Sequence, residues 1–325
     1  MARSNFGVEV ARVRPLTDRI NEYLLKSVDG KPLPEYGPGA HIAVHTVSPE
    51  RGLMVRHYSL IGGDASEHDA RDIYRIAVQR ELHQRGSAHI HASFRPGVRV
   101  EIGPPVNDFL LDRRAARVLL IAGGIGITPI LSMARSLARR RRPFEVVYAG
   151  RERGVMAYHD ALADVAGDAA AFHYSDTAGQ PDLVSVLARQ PDETQVYVCG
   201  PTPMVAATHA AARGLGWEPA RVRSENFGMA QSANARAFDV RLARSGRTVR
   251  VSEDASILDA LNAAGVPVLW DCRRGECGLC PLNVVSSDGA IEHRDHYLSD
   301  EEKDAGDTLC ICVSRTAGGE LVLDA

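Results

Sequence analysis

Five of the six cysteines in this 325-residue chain lie within 41 residues near its C-terminal end. The clustered residues are Cys272, Cys277, Cys280, Cys310 and Cys312. Thiolates bind soft metals, whereas the disulfides of a large secreted protein would be spread along the chain. The cluster therefore predicts a metal site in a protein of a reducing compartment, and we expect a cytoplasmic location.

The spacing of the first three cysteines indicates which metal group they bind. Four residues separate Cys272 from Cys277, two separate Cys277 from Cys280, and Cys312 follows after 31 more. Plant-type 2Fe–2S clusters use this spacing with a distant fourth cysteine. Free thiols and structural zinc are the alternatives, but zinc usually takes two Cys-x2-Cys pairs and only one is present.

Two cysteines are candidates for the fourth ligand, Cys310 and Cys312. The segment Ile311-Cys312-Val313 resembles the ferredoxin pattern in which the ligand precedes a valine. This resemblance implies that Cys312 is the ligand, and we expect Cys310 to be a small buried hydrophobic side chain.

A glycine-rich segment, Gly123-Gly124-Ile125-Gly126-Ile127-Thr128-Pro129, is the second candidate site. It follows an apolar run at 118–122, typical of a buried parallel strand, and precedes a helical pattern at 129–140. We expect Thr128 to be the helix N-cap and Pro129 the first helical residue. Backbone N–H groups at such a helix start can bind a pyrophosphate. The alternative is a tight turn without a ligand.

A further loop, Cys199-Gly200-Pro201, follows another apolar run at 195–199. Ligands of open α/β sheets bind at the carboxyl ends of the strands. Both loops are expected at such ends, and together they predict a nucleotide site.

The elements that position these residues fall into three regions. Residues 1–111 contain short alternating runs separated by Pro and Gly, which predict an antiparallel barrel or sandwich. Residues 112–227 alternate between strand and helix, as in a parallel sheet flanked by helices. After a small, polar linker at 228–236, residues 237–325 begin with a hairpin, and a helix is expected to start at Ser256.

Charge and hydropathy exclude several function classes. The chain has 38 Lys and Arg against 41 Asp and Glu, a net charge of −3. It therefore lacks the excess of basic residues that is typical of nucleic acid binding. Residues 236–325 hold 16 acids and 10 bases, net −6, and the remainder holds 28 bases and 25 acids, net +3. No run can span a bilayer and no secretory signal is visible, so we expect no membrane association. The acidic segment 300–307 is either a docking face for a basic partner or a solvated helix start.

The first region contains Arg56-His57-Tyr58-Ser59-Leu60, in which Arg56 can pair with a phosphate and Tyr58 can lie against a flat ring. This motif, the glycine-rich segment, Cys-Gly-Pro and the cysteine cluster follow one another over nearly the whole chain. The combination resembles the phthalate dioxygenase reductase family, the FMN-containing branch of the ferredoxin–NADP reductase superfamily, and vanillate O-demethylase reductases are similar. The resemblance implies a multidomain α+β protein with an FMN-binding β-barrel (1–111), an NAD(P)-binding α/β domain (112–227) and a C-terminal β-grasp ferredoxin domain (237–325).

The resemblance also implies the site residues. The flavin contacts are Arg56, His57, Tyr58, Ser59, Ala77, Val78, Gly86 and Ser87. The nicotinamide contacts are Gly124, Gly126, Thr128, Pro129, Cys199, Gly200 and Pro201. The residues bordering the reacting rings are Ser59, Thr128, Cys199 and Phe227, and the cluster ligands are Cys272, Cys277, Cys280 and Cys312.

Three further segments of the chain resemble segments of this family. Gln84-Arg85-Gly86-Ser87 resembles the family's Arg-Gly-Gly-Ser phosphate segment, with Arg85 in place of one glycine. Asn107-Asp108-Phe109 resembles the family's Asn-x-Phe, and Glu225-Asn226-Phe227 resembles its Glu-x-Phe, whose aromatic lies near the flavin. The alternative for Phe227 is a buried anchor at the end of the domain.

The implied function is the reductase component of an oxygenase system, expected to be a Rieske-type aromatic one. Electrons would pass from NADH through FMN and a 2Fe–2S cluster to a separate terminal oxygenase, and we expect a monomer. The alternatives are a reductase for a haem monooxygenase and a redox-sensing module. NADPH stays possible because Glu152 favours a ribose diol, whereas Arg151 and Arg153 favour a 2′-phosphate.

Overall fold

The structure is a computed structural model that describes residues 5–48, 52–62, 72–81, 87–226, 236–253, 255–270, 275, 278–295 and 297–325. The chain divides into two compact units, Met1–Asn226 and Phe227–Ala325. The predicted further division of the first unit near residue 111 stays a prediction. Within the described ranges, no helix has the length and apolarity needed to cross a bilayer.

The first part of the larger unit is an antiparallel sheet whose strands alternate buried and exposed side chains. Its elements are β1 (Phe6–Thr17), β2 (Ile20–Ser27), β3 (His41–Ser48), β4 (Gly52–Ser59), β5 (Ile73–Gln79), α1 (Ser87–Ser93) and β6 (Arg99–Ile102). The strand order is β4-β3-β6-β1-β2-β5, with every neighbouring pair antiparallel. Just beyond β4, the Ile61 N–H donates to the Arg75 carbonyl in β5 at 2.9 Å. This bond joins the two edge strands, as the predicted barrel requires.

The second part of this unit is a parallel sheet flanked by helices, which confirms the predicted α/β class. Its elements are β7 (Arg117–Gly123), α2 (Ile127–Arg139), β8 (Phe144–Gly150), α3 (His159–Ala166), β9 (Ala170–Tyr174), α4 (Ser175–Ala178), α5 (Leu183–Ala188), β10 (Thr194–Gly200), α6 (Thr202–Gly214) and β11 (Val222–Asn226). The order is β11-β10-β7-β8-β9, and all four pairs are parallel. The chain leaves β7 toward β8 and later returns on the other side as β10, so the carboxyl ends of β7 and β10 flank a topological switch point.

The start of α2 differs from the prediction. A 3-10 turn at Gly124–Gly126 precedes the helix, the N-cap is Gly126 and the first helical residue is Ile127. Thr128 is therefore inside the first turn rather than at the cap, and its hydroxyl donates back to the Ile125 carbonyl at 3.0 Å. Pro129 is tolerated there because the first-turn N–H groups have no partner within the helix.

The smaller unit is a mixed sheet with one helix packed across it. Its elements are β12 (Phe238–Leu242), β13 (Thr248–Val251), α7 (Ile257–Ala263), β14 (Pro281–Ser287), β15 (Ile291–Glu292), α8 (Asp300–Ala305), β16 (Thr308–Cys310), β17 (Arg315–Thr316) and β18 (Glu320–Leu323). The main sheet has the order β13-β12-β18-β14-β16, in which only β12 and β18 are parallel. Helix α7 begins after a capping box of Ser256 and Asp259. The arrangement is the β-grasp expected from the sequence.

Candidate functional site

The loops after β7 and β10 pack against each other, backbone to backbone. A Cβ atom on Gly126 would lie 2.1 Å from the Cys199 carbonyl oxygen, and one on Gly123 would lie 2.7 Å from Cδ of Pro201. Only glycine allows such approaches. The structure therefore brings the two predicted nucleotide loops together at the switch point of the sheet.

A buried tyrosine that the sequence reading did not single out supports this loop pair. The Tyr148 hydroxyl lies 3.2 Å from the Gly124 carbonyl oxygen and 3.0 Å from that of Ala157. Burial raises the pKa of Tyr148, so the phenol keeps the proton that it donates to these carbonyls. Tyr148 occupies an ordinary inward position of β8, and no local signal distinguishes it from a core residue.

The predicted flavin residues of β4 stand at its carboxyl end. The Ser59 side chain is buried, and its hydroxyl has no hydrogen-bond partner among the described residues. A buried unpaired hydroxyl costs about 1–3 kcal/mol, and an acceptor atom of a bound ring would remove that cost. Arg56 and Tyr58 are partly buried on the same strand, and desolvation raises the pKa of Tyr58. The donors and rings present thus fit a flavin.

Strand β5 connects this region with the nucleotide loops. Ala77 and Val78 are buried in β5, and the strand contacts the 3-10 turn Gly124–Gly126. The bond from Ile61 to Arg75 sets the end of β4 beside β5. The predicted flavin strand and the predicted nicotinamide turn are therefore neighbours in one unit.

Some predicted contacts lie outside the described residues, namely Gly86, Phe227, Cys272 and Cys277. Next to the first of them, the Ser87 hydroxyl accepts a hydrogen bond from the Glu81 N–H at 3.1 Å. Phe109, from the Asn-x-Phe segment, is buried edge-on to Tyr197 with ring centroids 5.6 Å apart, which makes it a packing residue.

The cysteines of the smaller unit that the structure describes come together. Cys280, Cys310 and Cys312 are all buried. Hydrogen bonds from Cys310 and Cys312 lower the pKa of the Cys280 thiol, which favours the thiolate, the form that binds metal. Cys310 is buried, as expected, and its contact with Cys280 was not predicted.

Two glycines shape the cysteine loop. Gly275 and Gly278 have φ values of +74° and +71°, which side chains rarely adopt. A Cβ on Gly278 would lie 2.2 Å from the Tyr297 ring, so the loop also needs the space. Two glycines in the left-handed region beside the buried Cys280, which contacts Cys310 and Cys312, fit the approach to an iron–sulfur cluster.

The residues after β8 bear on the choice of nucleotide. Arg151, Glu152 and Arg153 are exposed. Arg153 donates to the Asp160 carboxylate at 2.7 Å, and hydrogen bonds from His159 and from Arg153 lower the pKa of Asp160. One of the two arginines that could bind a 2′-phosphate is thus already paired with an acid, a partner seven residues away that the sequence reading missed.

Two protein-family models match this chain, one in each unit. The family described as 2Fe-2S iron-sulfur cluster binding domain matches residues 240–317, and the one described as dimethylamine monooxygenase subunit DmmA-like, N-terminal domain, matches 100–222. Phenoxybenzoate dioxygenase subunit beta of Ectopseudomonas oleovorans is 42% identical over 296 residues, 90% of this chain and 88% of that protein. Heme-dependent oxidative N-demethylase beta subunit of Ectopseudomonas mendocina is 38% identical over 318 residues, 98% of each chain.

A solved structure matches over the full length. Phthalate dioxygenase reductase, described as a modular structure for electron transfer from pyridine nucleotides to 2Fe–2S, is 35% identical, with a TM-score of 0.80 and coverage of 99% of this chain and 98% of that one. The barrel, the parallel sheet and the iron–sulfur domain occur in one chain, and relatives above 30% identity span nearly all of it. The chain belongs to the phthalate dioxygenase reductase family of flavin- and nicotinamide-dependent iron–sulfur oxidoreductases.

Proposed function

We propose that this chain is the reductase component of a multicomponent oxygenase, passing electrons from NADH through FMN and a 2Fe–2S cluster to a separate terminal oxygenase. One observation carries the proposal: strand β5 contacts the turn Gly124–Gly126, which in turn packs on the Cys199 carbonyl. The predicted flavin strand and the predicted nicotinamide loops are therefore neighbours, which supports the proposal. When bound, the nicotinamide would supply hydride chemistry, the flavin a conversion between two-electron and one-electron transfer, and the cluster one-electron transfer.

The residues of the barrel bind and orient the flavin. The Ser59 hydroxyl donates to an acceptor on the ring, which satisfies a group that is otherwise buried without a partner. Tyr58 offers a neutral ring for stacking, and the Arg56 guanidinium offers paired donors for the phosphate. Ser87 extends the phosphate contacts at the start of α1.

The loops after β7 and β10 orient the nicotinamide. Thr128 and Cys199 are buried where the two loops meet. The close packing of the loops excludes water from the path of hydride transfer. Hydride transfer between two rings needs alignment rather than an acid or a base, so a precise backbone arrangement is the main contribution of this edge.

The smaller unit holds the cluster through Cys272, Cys277, Cys280 and Cys312. Cys280 and Cys312, both buried, are two of the four ligands, and Cys272 and Cys277 in the cysteine loop are the others. Steady turnover of NADH with an artificial acceptor supports a reductase. A cluster that is reduced once, without continued NADH oxidation, would instead indicate a redox-sensing module.

NADH is the donor that the loop after β8 favours. Arg153 forms an ion pair with Asp160, and Glu152 is exposed beside it. A 2′-phosphate bound here would therefore lie near the carboxylates of Glu152 and Asp160. A ribose diol, by contrast, can donate hydrogen bonds to a carboxylate.

Helix α8 is the candidate docking face for the oxygenase. Glu302 forms a capping box with Ser299, so its carboxylate has a structural role at the start of the helix. Asp300, Glu301 and Asp304 are exposed. A basic partner surface would be steered toward these charges. Electron delivery to the partner should then slow as ionic strength rises, and salt-insensitive delivery would argue against this face.

A haem-containing terminal component is the second candidate. The observation that favours it is the 38% identity to the beta subunit of a heme-dependent oxidative N-demethylase over 98% of the chain. Reconstitution with each class of partner distinguishes the two: the true acceptor is the one that the NADH-reduced chain reduces over many turnovers.

A further inference from the structure

A buried carboxylate in the smaller unit has no role in the proposed ligand set. The side chain of Asp295 is fully buried. Its oxygens accept hydrogen bonds from the Leu298 N–H at 2.9 Å and from the Ser314 hydroxyl at 3.1 Å. His293 lies nearby, with Nδ1 at 3.7 Å from Oδ1, beyond hydrogen-bond distance.

Asp295 touches both segments that carry proposed ligands. On one side, a Cβ on Gly275 would lie 2.8 Å from Cα of Asp295, and Gly275 stands between Cys272 and Cys277 in the loop. On the other side, its partner Ser314 is two residues beyond Cys312. The Ser314 N–H also donates to the Cys310 carbonyl at 2.9 Å, which closes the turn around Cys312.

Two basic side chains lie close to the Asp295 carboxylate in the described part of the chain, His293 and Lys303. Nζ of Lys303 donates to the Asp295 main-chain carbonyl at 2.8 Å and lies 3.8 Å from Oδ2. The lysine side chain is 24% exposed, whereas that of Asp295 is 0% exposed. The acid is therefore the interior member of the pair, and its charge is less screened by solvent. Burying a carboxylate is costly, so an amide or serine would be the simpler choice if only hydrogen bonds were needed.

We propose that Asp295 is a positioning residue whose carboxylate fixes the Cys312 turn through Ser314, beside the main chain that packs on Gly275, and that its buried charge, partly balanced by Lys303, lowers the reduction potential of the cluster. Reduction adds negative charge, which a nearby carboxylate disfavours and a nearby ammonium favours. The inference rests on the proposed ligand set.

The reduction potential of the cluster is measured on the full chain by spectroelectrochemical titration, and electron paramagnetic resonance of the reduced state shows whether the cluster is intact. Asp295→Asn keeps the size of the side chain and can still accept from Leu298 and donate to Ser314. We expect it to retain the cluster with a more positive potential, whereas Lys303→Met gives a more negative one. Asp239→Asn is the control, because it removes a carboxylate from an exposed ion pair with Arg250 in the same unit, and should leave the potential unchanged.

The positioning role has its own readout. Asp295→Ala should release iron to a chelator about 10-fold faster or more, since neighbours of metal ligands typically contribute 10- to 100-fold in affinity. Asp295→Asn should largely restore retention while keeping the changed potential. Retention of iron by the alanine variant at the wild-type rate would overturn the positioning role.

Other outcomes decide the electrostatic role. An unchanged potential in Asp295→Asn, or shifts of the same sign in that variant and Lys303→Met, would overturn it. If Asp295→Asn loses its cluster during purification, Lys303→Met decides, because its partly exposed side chain can be removed without opening the core. A wild-type chain without iron–sulfur absorbance would refute the proposed function first, and this inference with it.

Discussion

Substituting Gly126 with alanine probes the contact on which the proposed nicotinamide site depends. The added Cβ would lie 2.1 Å from the Cys199 carbonyl oxygen, 2.4 Å from its carbon and 2.8 Å from the Gly200 nitrogen. All three are backbone atoms, so no side chain can rotate away. The two loops must separate by about 1.3 Å or more for the Cβ to reach ordinary van der Waals contact.

The size of the effect follows from that displacement. Overpacking of this kind costs about 1–3 kcal/mol, which lowers the Tm of a unit of this size by about 2–4 °C per kcal/mol. A displacement of about 1 Å at a hydride-transfer site can cost about 100-fold in rate. We therefore expect a modestly less stable protein that binds its flavin but is reduced by NADH about two orders of magnitude more slowly.

Stopped-flow reduction of the bound flavin by NADH measures the rate, and differential scanning calorimetry measures the Tm. Gly214→Ala is the matched control, because a Cβ there meets no atom within 4 Å and its φ is not in the left-handed region. The control should reduce at the wild-type rate. Wild-type reduction by Gly126→Ala would refute the packing of these loops as the basis of the site.

Three further perturbations test separate parts of the larger unit. Ser59→Ala removes a hydrogen bond worth about 0.5–1.5 kcal/mol, so the flavin Kd should rise about twofold to twelvefold, measured by fluorescence on flavin release. Alanine at Arg151 and Arg153 should leave the steady-state NADH KM within about twofold, because a ribose diol does not need them. Burial lowers the pKa of His91 in the folded protein. Below about pH 6.5 the unfolded chain therefore binds more protons than the folded one. The contribution of neutral His91 to the free energy of unfolding is full above that pH and falls as the pH is lowered. His91→Gln should flatten this dependence in thermal melts from pH 7.5 to 5.

Each of these predictions has a result that contradicts it. An unchanged flavin Kd in Ser59→Ala would remove the hydroxyl from the flavin contacts. A large rise in the NADH KM of the arginine variants would show that this loop binds the nucleotide through cations. An acid-induced loss of stability that is identical in His91→Gln would assign the effect to other groups.

Short-range spacing predicted the chemistry well and the exact register less well. The cysteine and glycine motifs are local, so the kind of site each forms could be read from the sequence, and the glycine-rich segment follows a buried strand as predicted. The start of α2 was misplaced by two residues, because a 3-10 turn at Gly124–Gly126 continues directly into the helix and Thr128 bonds backward rather than capping.

Contacts between distant segments could not be predicted from spacing. Cys310 reaches Cys280 because β14 pairs with β16, which places Pro281 opposite Cys310. Asp295 meets Ser314 across 19 residues, and Tyr148 meets Gly124 across 24. Strand register and tertiary packing determine these neighbours, and neither leaves a local pattern in a single sequence.

The most direct test is an anaerobic titration of the purified protein with NADH, followed by visible absorbance and extraction of the flavin. We expect FMN in the extract and loss of both the flavin and the iron–sulfur bands as NADH is added. In Cys280→Ser the flavin band alone should disappear. A protein without flavin, or one whose iron–sulfur band is unchanged by excess NADH, would contradict the proposed path from nicotinamide through flavin to the cluster.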